Sequence, residues 1–208
     1  QVSGENVAGE ISLAASPAVA ARWLTPRLGE FQNRFPGLKV TLDPFYPGQE
    51  QFPAHVDVLI HFGSGNWQGK WVHDLRAVSF YPVGSPALIA GAQDGFGADD
   101  PKKVTLLHDD QGAAWGRWLN AAGLDGPPAA QSMRFFSADL ALAAAEAGGG
   151  LAMGDDWLTM DSLTEGRLVR PFDLAVPVAD RYFVVAEPQK VKQPKVSAFL
   201  DWVFDAVS

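Results

Sequence analysis

A chain of 208 residues with 47% hydrophobic and 19% charged content has the balance of a globular protein, long enough for one large domain or two small ones, and not of a disordered segment. Zero cysteines exclude a disulfide framework and thiolate metal sites, and a net charge of −8 with 16 scattered basic residues argues against nucleic-acid binding by this chain alone. No apolar run reaches membrane-spanning length, no signal peptide is visible, and the first residue is Gln1, as in a fragment or a processed form.

In chain order, Gly9–Ala15 alternates as a strand, and Ser16-Pro17 starts a helix with proline at its first position. Leu24, Leu28, Phe31 and Phe35 then share one helical face, with Pro26 expected to kink or restart the helix. Pro36-Gly37 stops it, and Leu38–Leu42 is a strand. Asp43–Pro53, with three prolines and a glycine, is an irregular connection. Asp57–Gly63 is the best strand in the chain: Val58, Ile60 and Phe62 face one way, Leu59 and His61 the other. The glycines of the segment from Gly63 to Gly69 predict an open loop. Trp71–Leu75 and Val78–Val83 are two further strands, and the character changes near Tyr81–Pro86.

A second unit begins with Leu88–Gly97 and the turn Asp99-Asp100-Pro101. Val104–Leu107 reads as a strand. Ala114–Gly123 is an amphipathic helix in which Trp115 and Trp118 belong to the core rather than to a stacking platform, and Asp109-Asp110 ahead of it is a solvated turn or a helix cap. Gly126–Pro128 is linker-like. The clearest unit follows, Arg134–Leu158: a strand end, Ser137 where an N-cap belongs, the helix Ala138–Ala147, the stop Gly148–Gly150, the strand Leu151–Gly154, and Asp155-Asp156 capping the next helix, around Trp157–Leu163. A strand from Leu168, an irregular return over Pro171–Asp180, the strand Tyr182–Ala186 and the core-facing helix Lys195–Val207 complete the chain.

Alternating strands and helices predict an α/β fold with a largely parallel sheet, in two lobes: residues 1–82 plus 182–208 form a discontinuous lobe I, and residues 83–181 form lobe II. Ligands in such folds bind beyond the carboxyl ends of strands. A capped structural helix needs the same residues as the crossover at Ser137, so this stretch by itself favours neither reading.

Signals for catalysis and cofactors are weak. Gly63-x-Gly65 lacks the third glycine of a dinucleotide fingerprint, since Gln68 stands there. There is no Walker loop, nucleophile elbow or HExxH motif, so no catalytic residue, metal ligand or cofactor is assigned. The histidines His55, His61, His73 and His108 are dispersed; His61, at the end of its strand, is the one to watch. Ser16, the loop after Phe62 and Ser137 all fall at strand ends where amides converge, which suits a carboxylate or another anion.

Five segments in register, Arg22–Gly37, Asp57–Gly69, Tyr81–Leu88, Leu106–Leu124 and Phe135–Phe172, resemble the effector-binding domain of LysR-type transcriptional regulators, in the subgroup of the glycine-cleavage and β-lactamase regulators. The resemblance covers nearly the whole chain. It implies two Rossmann-like lobes joined by two crossover strands, in the type II periplasmic-binding-protein-like arrangement, with an effector cleft between them. It further implies a cytoplasmic bacterial regulator whose winged helix-turn-helix, the only part to touch DNA, lies upstream of these residues. Carried over, the family's pocket falls on Ser16, His61, Phe62, Gly63, Gly65, Val83, Ser85, Phe136, Ser137, Ala138 and Asp155. Pairing would run through Pro17–Phe35 and Ala138–Ala147 to a homodimer, and to a tetramer in the full-length protein. Two departures stand out: His61 occupies a place where the subgroup commonly has arginine, and Phe45–Ala54 is richer in proline than the family's helix there. An exported solute-binding protein with the same two-lobed layout is the alternative function, and an enzyme on the same fold is a third.

Overall fold

The computed structural model describes residues 7–46, 48–49, 51–91, 101–124 and 131–207. The expected linker at Gly126–Pro128, the turn at Asp99-Asp100 and the end of the Leu88–Gly97 segment lie outside them. The chain divides into two compact units, Gln1–Ala77 with Ala179–Ser208 and Val78–Val178. Two strands, β4 (Trp71–Val83) and β8 (Val176–Ala186), each run from one unit into the other.

In unit 1 the strand order is β2-β1-β3-β8. The central strand β1 (Gly9–Ala15) pairs in parallel with β2 (Leu38–Pro44) and β3 (Val58–Gly63), while β3 pairs antiparallel with β8. Ile11, Leu13 and Ala15 are buried, as alternation predicts, and Ala14 is buried too because β1 is covered on both faces. The helix after β1 is interrupted ahead of Pro26: α1 (Pro17–Val19) passes into a π turn, Ala20–Leu24, before α2 (Thr25–Arg34). Pro26 has no N–H for a carbonyl one turn back and its ring crowds that position, and the Thr25 N–H bonds to Ala20, five residues behind.

The unit-1 core is aromatic. Phe31 packs edge-on to Phe199 at 5.4 Å and against Trp202 at 5.2 Å, and Trp23 meets Trp202 at 6.1 Å. Phe199 and Trp202 come from α7 (Pro194–Val207), whose Val196, Leu200 and Val203 are buried on the same face.

In unit 2 the order is β4-β7-β5-β6. After α3 (Pro86–Gly91), β5 (Leu106–His108) leads to α4 (Ala113–Ala121), β6 (Ser132–Arg134) to α5 (Ala138–Glu146), and β7 (Leu151–Gly154) to α6 (Asp156–Thr164). The strand β5 is parallel to β6 and β7, whereas β4 is antiparallel to β7. Trp115 and Trp118 are core residues, and their indole N–H groups donate to the Leu107 and Leu174 carbonyls at 2.9 and 3.0 Å.

Several expectations are corrected. The sheet is mixed rather than largely parallel, because β4 and β8 pair antiparallel with β7 and β3. Trp71–Leu75 and Val78–Val83 are one continuous strand, β4. The expected strand at Leu168 is a single bridge, Val169 to Gly84. The irregular return over 171–180 ends early, since β8 starts at Val176; Pro177 within it gives up one donor, a loss tolerated away from strand centres. The strand expected from Val104 begins at Leu106.

Candidate functional site

At the carboxyl ends of β1 and β3, unit 1 brings together Ser16 and His61. Ala15 pairs with Ile60, so the residues that follow are neighbours. Ser16 occupies the N-cap position of α1, yet its hydroxyl makes no capping bond, and it is half-buried. His61 is held by rings: Phe45 lies edge-on at 5.3 Å and Trp67 edge-on at 5.6 Å. Its Nδ1 is buried without a hydrogen-bond partner among the described residues. Burial pulls the imidazole below the usual histidine range, against the opposite pull of Asp180, so the ring is neutral at pH 7. The Phe62 ring packs on Tyr182 at 5.1 Å.

From Ser64 the chain is an irregular loop, as expected, open at Gly69 but closely packed at Gly63 and Gly65. A Cβ on Gly63 would sit 2.9 Å from His61 Nε2, and one on Gly65, at φ +73°, would sit 2.6 Å from the Phe183 ring. Glycine here lets backbone pass close to two rings.

In unit 2 the parallel trio β6-β5-β7 sends three turns to one edge. Ser137 follows β6 and is 7% exposed; its Oγ has no partner among the described residues and does not cap α5, although Ser137 is the N-cap residue. Asp155 follows β7, is 2% exposed, and accepts from the Trp157 and Leu158 amides at 2.8 and 3.1 Å, closing the head of α6. Phe136 is 68% exposed, and Ala138 is half-buried at the first turn of α5.

The ladder separates Val83 and Ser85 from this edge. Val83 pairs with Ala152, so the chain beyond it runs towards the start of β7; the Ser85 hydroxyl accepts from Leu88 at 3.2 Å, capping α3. Tyr81, opposite Gly154, takes the place at the Asp155 end. Its hydroxyl donates to Asp156 at 2.8 Å and shares a 2.9 Å bond with Thr159, and the Arg170 guanidinium lies 3.8 Å from its ring centre. Burial, with Asp156 and Asp155 nearby, holds the phenol well above its ordinary range, so it stays a donor. Removing that hydroxyl in Tyr81→Phe should cost about 1–2 kcal/mol, read as a lower urea midpoint with unchanged slope.

The sequence marks Asp109 only as part of a solvated turn or a helix cap. It follows β5, is half-buried, and is pushed up to about 6 by burial and then by Asp110 and Asp155, against its own amide. An Asp-Asp pair ahead of a helix was the available signal. Among the described residues no group of His, Cys, Asp and Glu is arranged to hold a metal ion, and no helix is long and apolar enough to cross a membrane.

A two-unit α/β chain with polar residues gathered at the carboxyl ends of its strands is the architecture of a small-molecule-binding domain. The model of the LysR substrate binding domain matches residues 4–208, and the chain belongs to that family. It is similar to the glycine cleavage system transcriptional activator of Escherichia coli (strain K12), 29% identical over 98% of this chain and 67% of the relative. The transcriptional regulator DsdC of the same strain is 28% identical over 99% of this chain and 68% of the relative. The chain thus spans about two thirds of the length of these relatives. Among solved structures, the effector domain of the transcriptional regulator AmpR of Pseudomonas aeruginosa has a TM-score of 0.75 at 24% identity, over 95% of both chains. CrgA, a LysR-type regulator from Neisseria meningitidis, has a TM-score of 0.75 at 18% identity, over 97% of this chain and 69% of that one. These likenesses establish the type II periplasmic-binding-protein-like fold and effector sensing for a transcriptional regulator, and they lend nothing to the transport alternative.

Proposed function

We propose that this chain senses a small-molecule effector through the polar residues at its strand ends, Ser16 and His61 in unit 1 and Ser137 and Asp155 in unit 2, with Phe62, Gly63, Gly65, Phe136 and Ala138 around them. The observation that carries this reading is a pair of buried polar atoms with no hydrogen-bond partner among the described residues, His61 Nδ1 and Ser137 Oγ. An unpaired buried group costs about 1–3 kcal/mol, a cost a ligand can repay. An anionic group on the effector belongs with unit 1, where the Ser16 hydroxyl does not cap α1 and His61 stands on the neighbouring strand.

Effector binding biases the arrangement of subunits that pair through residues 17–35 and 138–147, and a DNA-binding domain outside these residues reads that bias. The regulator acts in the cytoplasm and has no catalytic step. The chain passes from one lobe to the other near residues 82–83 and 181–182. The test is a reporter driven by the full-length regulator. Ser16→Trp and Ser137→Trp, which fill the strand-end space with an indole, should each abolish the effector response while the protein still binds its operator. A normal response in both variants overturns the pocket assignment.

A further inference from the structure

Four acidic side chains follow β5 and β7 in unit 2, and the fold uses three of them, Asp156 accepting from the Tyr81 hydroxyl at 2.8 Å. Asp110 commits both carboxylate oxygens to the amides of Gly112 and Ala114, at 2.6 and 2.8 Å, at the head of α4. Asp155 is committed to the head of α6. Asp109 caps nothing: among the described residues its half-buried carboxyl has no side-chain hydrogen bond and no ion pair, and the charges acting on it, Asp110 and Asp155, are both negative. A carboxylate in that setting is costly, which is why burial and those two neighbours push it up to about 6.

A second, independent observation lies on the adjacent strand. His108 pairs with Arg134, and the Phe135 amide donates to the His108 carbonyl at 2.7 Å, so the residues leaving β6 run beside Asp109. There Ser137, nine-tenths buried, keeps a hydroxyl with no partner among the described residues and does not turn it onto the α5 amides. The base on β6, Arg134, is directed instead to Gln111 at 3.2 Å.

We propose that Asp109, with Ser137 beside it, is the subsite for a protonated amine on the effector. The proposal rests on reading this edge as effector-facing. An ammonium has three donors and no acceptor, so it can donate to the Asp109 carboxylate and to Ser137 Oγ together, and its charge relieves the repulsion among Asp109, Asp110 and Asp155. A carboxylate placed here adds a further negative charge beside three others, so the anionic end of such an effector belongs elsewhere. A neutral hydroxyl of the same size makes the bonds but leaves the repulsion, and the subsite discriminates against it.

The test uses the isotope-labelled 208-residue chain, with methylammonium, acetamide, acetate and calcium as probes, and follows the backbone amide signals of Asp109, Ser137 and Asp155. Methylammonium should shift those signals at millimolar concentration, and acetamide, acetate and calcium should not. Asp109→Asn should weaken the methylammonium response roughly tenfold or more, the loss of one charge-assisted bond. Because Asp109 caps nothing, its signals elsewhere should stay in place; Asp109→Ser is the second variant should asparagine disturb the turn. Lowering the pH through 6 should weaken the wild-type response, as Asp109 takes up a proton. No shift with methylammonium, an equal response in Asp109→Asn, or preference for calcium overturns the subsite. A regulator that loses its effector response in Ser16→Trp and Ser137→Trp, while methylammonium leaves Asp109 untouched, removes the amine subsite and keeps the sensing function. A normal effector response in both variants, with methylammonium still shifting Asp109, overturns the strand-end pocket and leaves an amine site with no role in effector sensing.

Discussion

Asp57→Ala should destabilise unit 1 by about 3 kcal/mol, the low end for removing one partner of a buried ion pair. The carboxylate has a side chain 6% exposed and is bound by two lysines, Lys190 at 2.9 Å and Lys195 at 2.6 Å. It also accepts from the Ser12 amide at 3.1 Å, while the Asp57 amide donates to the Ser12 carbonyl at 2.7 Å. One side chain therefore joins β1, β3, the turn before α7 and α7 itself. Lys195 further donates to the Glu10 carbonyl at 2.7 Å and Lys190 to the Val56 carbonyl at 3.1 Å, so both ammonium groups stay in place when the carboxylate is removed, close together and uncompensated. Partial exposure of the lysines, 23% and 27%, keeps the cost at the low end of the range. Asp57→Asn keeps the shape and the bond from Ser12 and loses only the charge, so it should fall between wild type and alanine. Urea midpoints with a common slope measure all three. An alanine variant within about 0.5 kcal/mol of wild type would leave the cluster without an energetic role.

The same group sets the response to acid. Burial raises the Asp57 pKa, but hydrogen bonds from Lys195 and Lys190 and from the Ser12 amide outweigh it, and the net shift is downward. A carboxyl lowered in the folded state contributes stability that is fully present above its unfolded pKa of about 3.9 and is lost as pH falls through the lower folded value. Wild type should therefore lose stability below about pH 4, and Asp57→Asn should lose less of it over the same window.

Sequence and structure agree best where the signals are local. Between Arg134 and Leu158 the serine, the alanine-rich run, the glycines and the paired aspartates mark strand, helix and strand within a few residues of where they lie. Ser16 and Ser137 were legible as strand-end residues for the same reason. Whether their hydroxyls cap is decided by backbone geometry, and neither does. Asp109 and Asp110 are the same residue type side by side, yet one caps α4 and the other faces two like charges; the parallel pairing of β5 with β7, over forty residues apart in sequence, creates that difference. In the sequence Tyr81 shows only as part of a strand, because its partners Asp156, Thr159 and Arg170 lie 75 or more positions away. The antiparallel strands β4 and β8 were harder still: a strand that changes units carries no local mark of doing so.

Gly150→Ala is expected to cost about 3–4 kcal/mol, more than any nearby glycine replacement, and to disturb the subsite as well. From sequence the run Gly148–Gly150 serves to end a helix, and Gly148, at φ +84°, does that. Gly150 has a different duty. At φ +152° its Cα lies against the strand beside it, and a Cβ would stand 2.3 Å from the Thr105 carbonyl oxygen and 3.1 Å from its carbon. That oxygen already accepts from the Leu151 amide at 3.0 Å, the first bond of the β5–β7 ladder. The clash is with backbone, so no side-chain rotation relieves it; the strands must part or slip. The register they hold, Leu106 with Leu151 and Leu107 with Ala152, is what delivers Asp109 and Asp155 to a common edge. Gly166→Ala supplies a partial control, since Gly166 is also at positive φ, in the left-handed helical region (+71°) that alanine reaches more easily than +152°, and has nothing within 4 Å of its would-be Cβ. It should cost only about 1 kcal/mol. The difference between the two urea midpoints measures the close approach together with the rarer backbone angle of Gly150, and equal midpoints would mean that β7 yields without cost. If the ladder carries the site, Gly150→Ala should also lose the methylammonium shifts at Asp109 while Gly166→Ala keeps them.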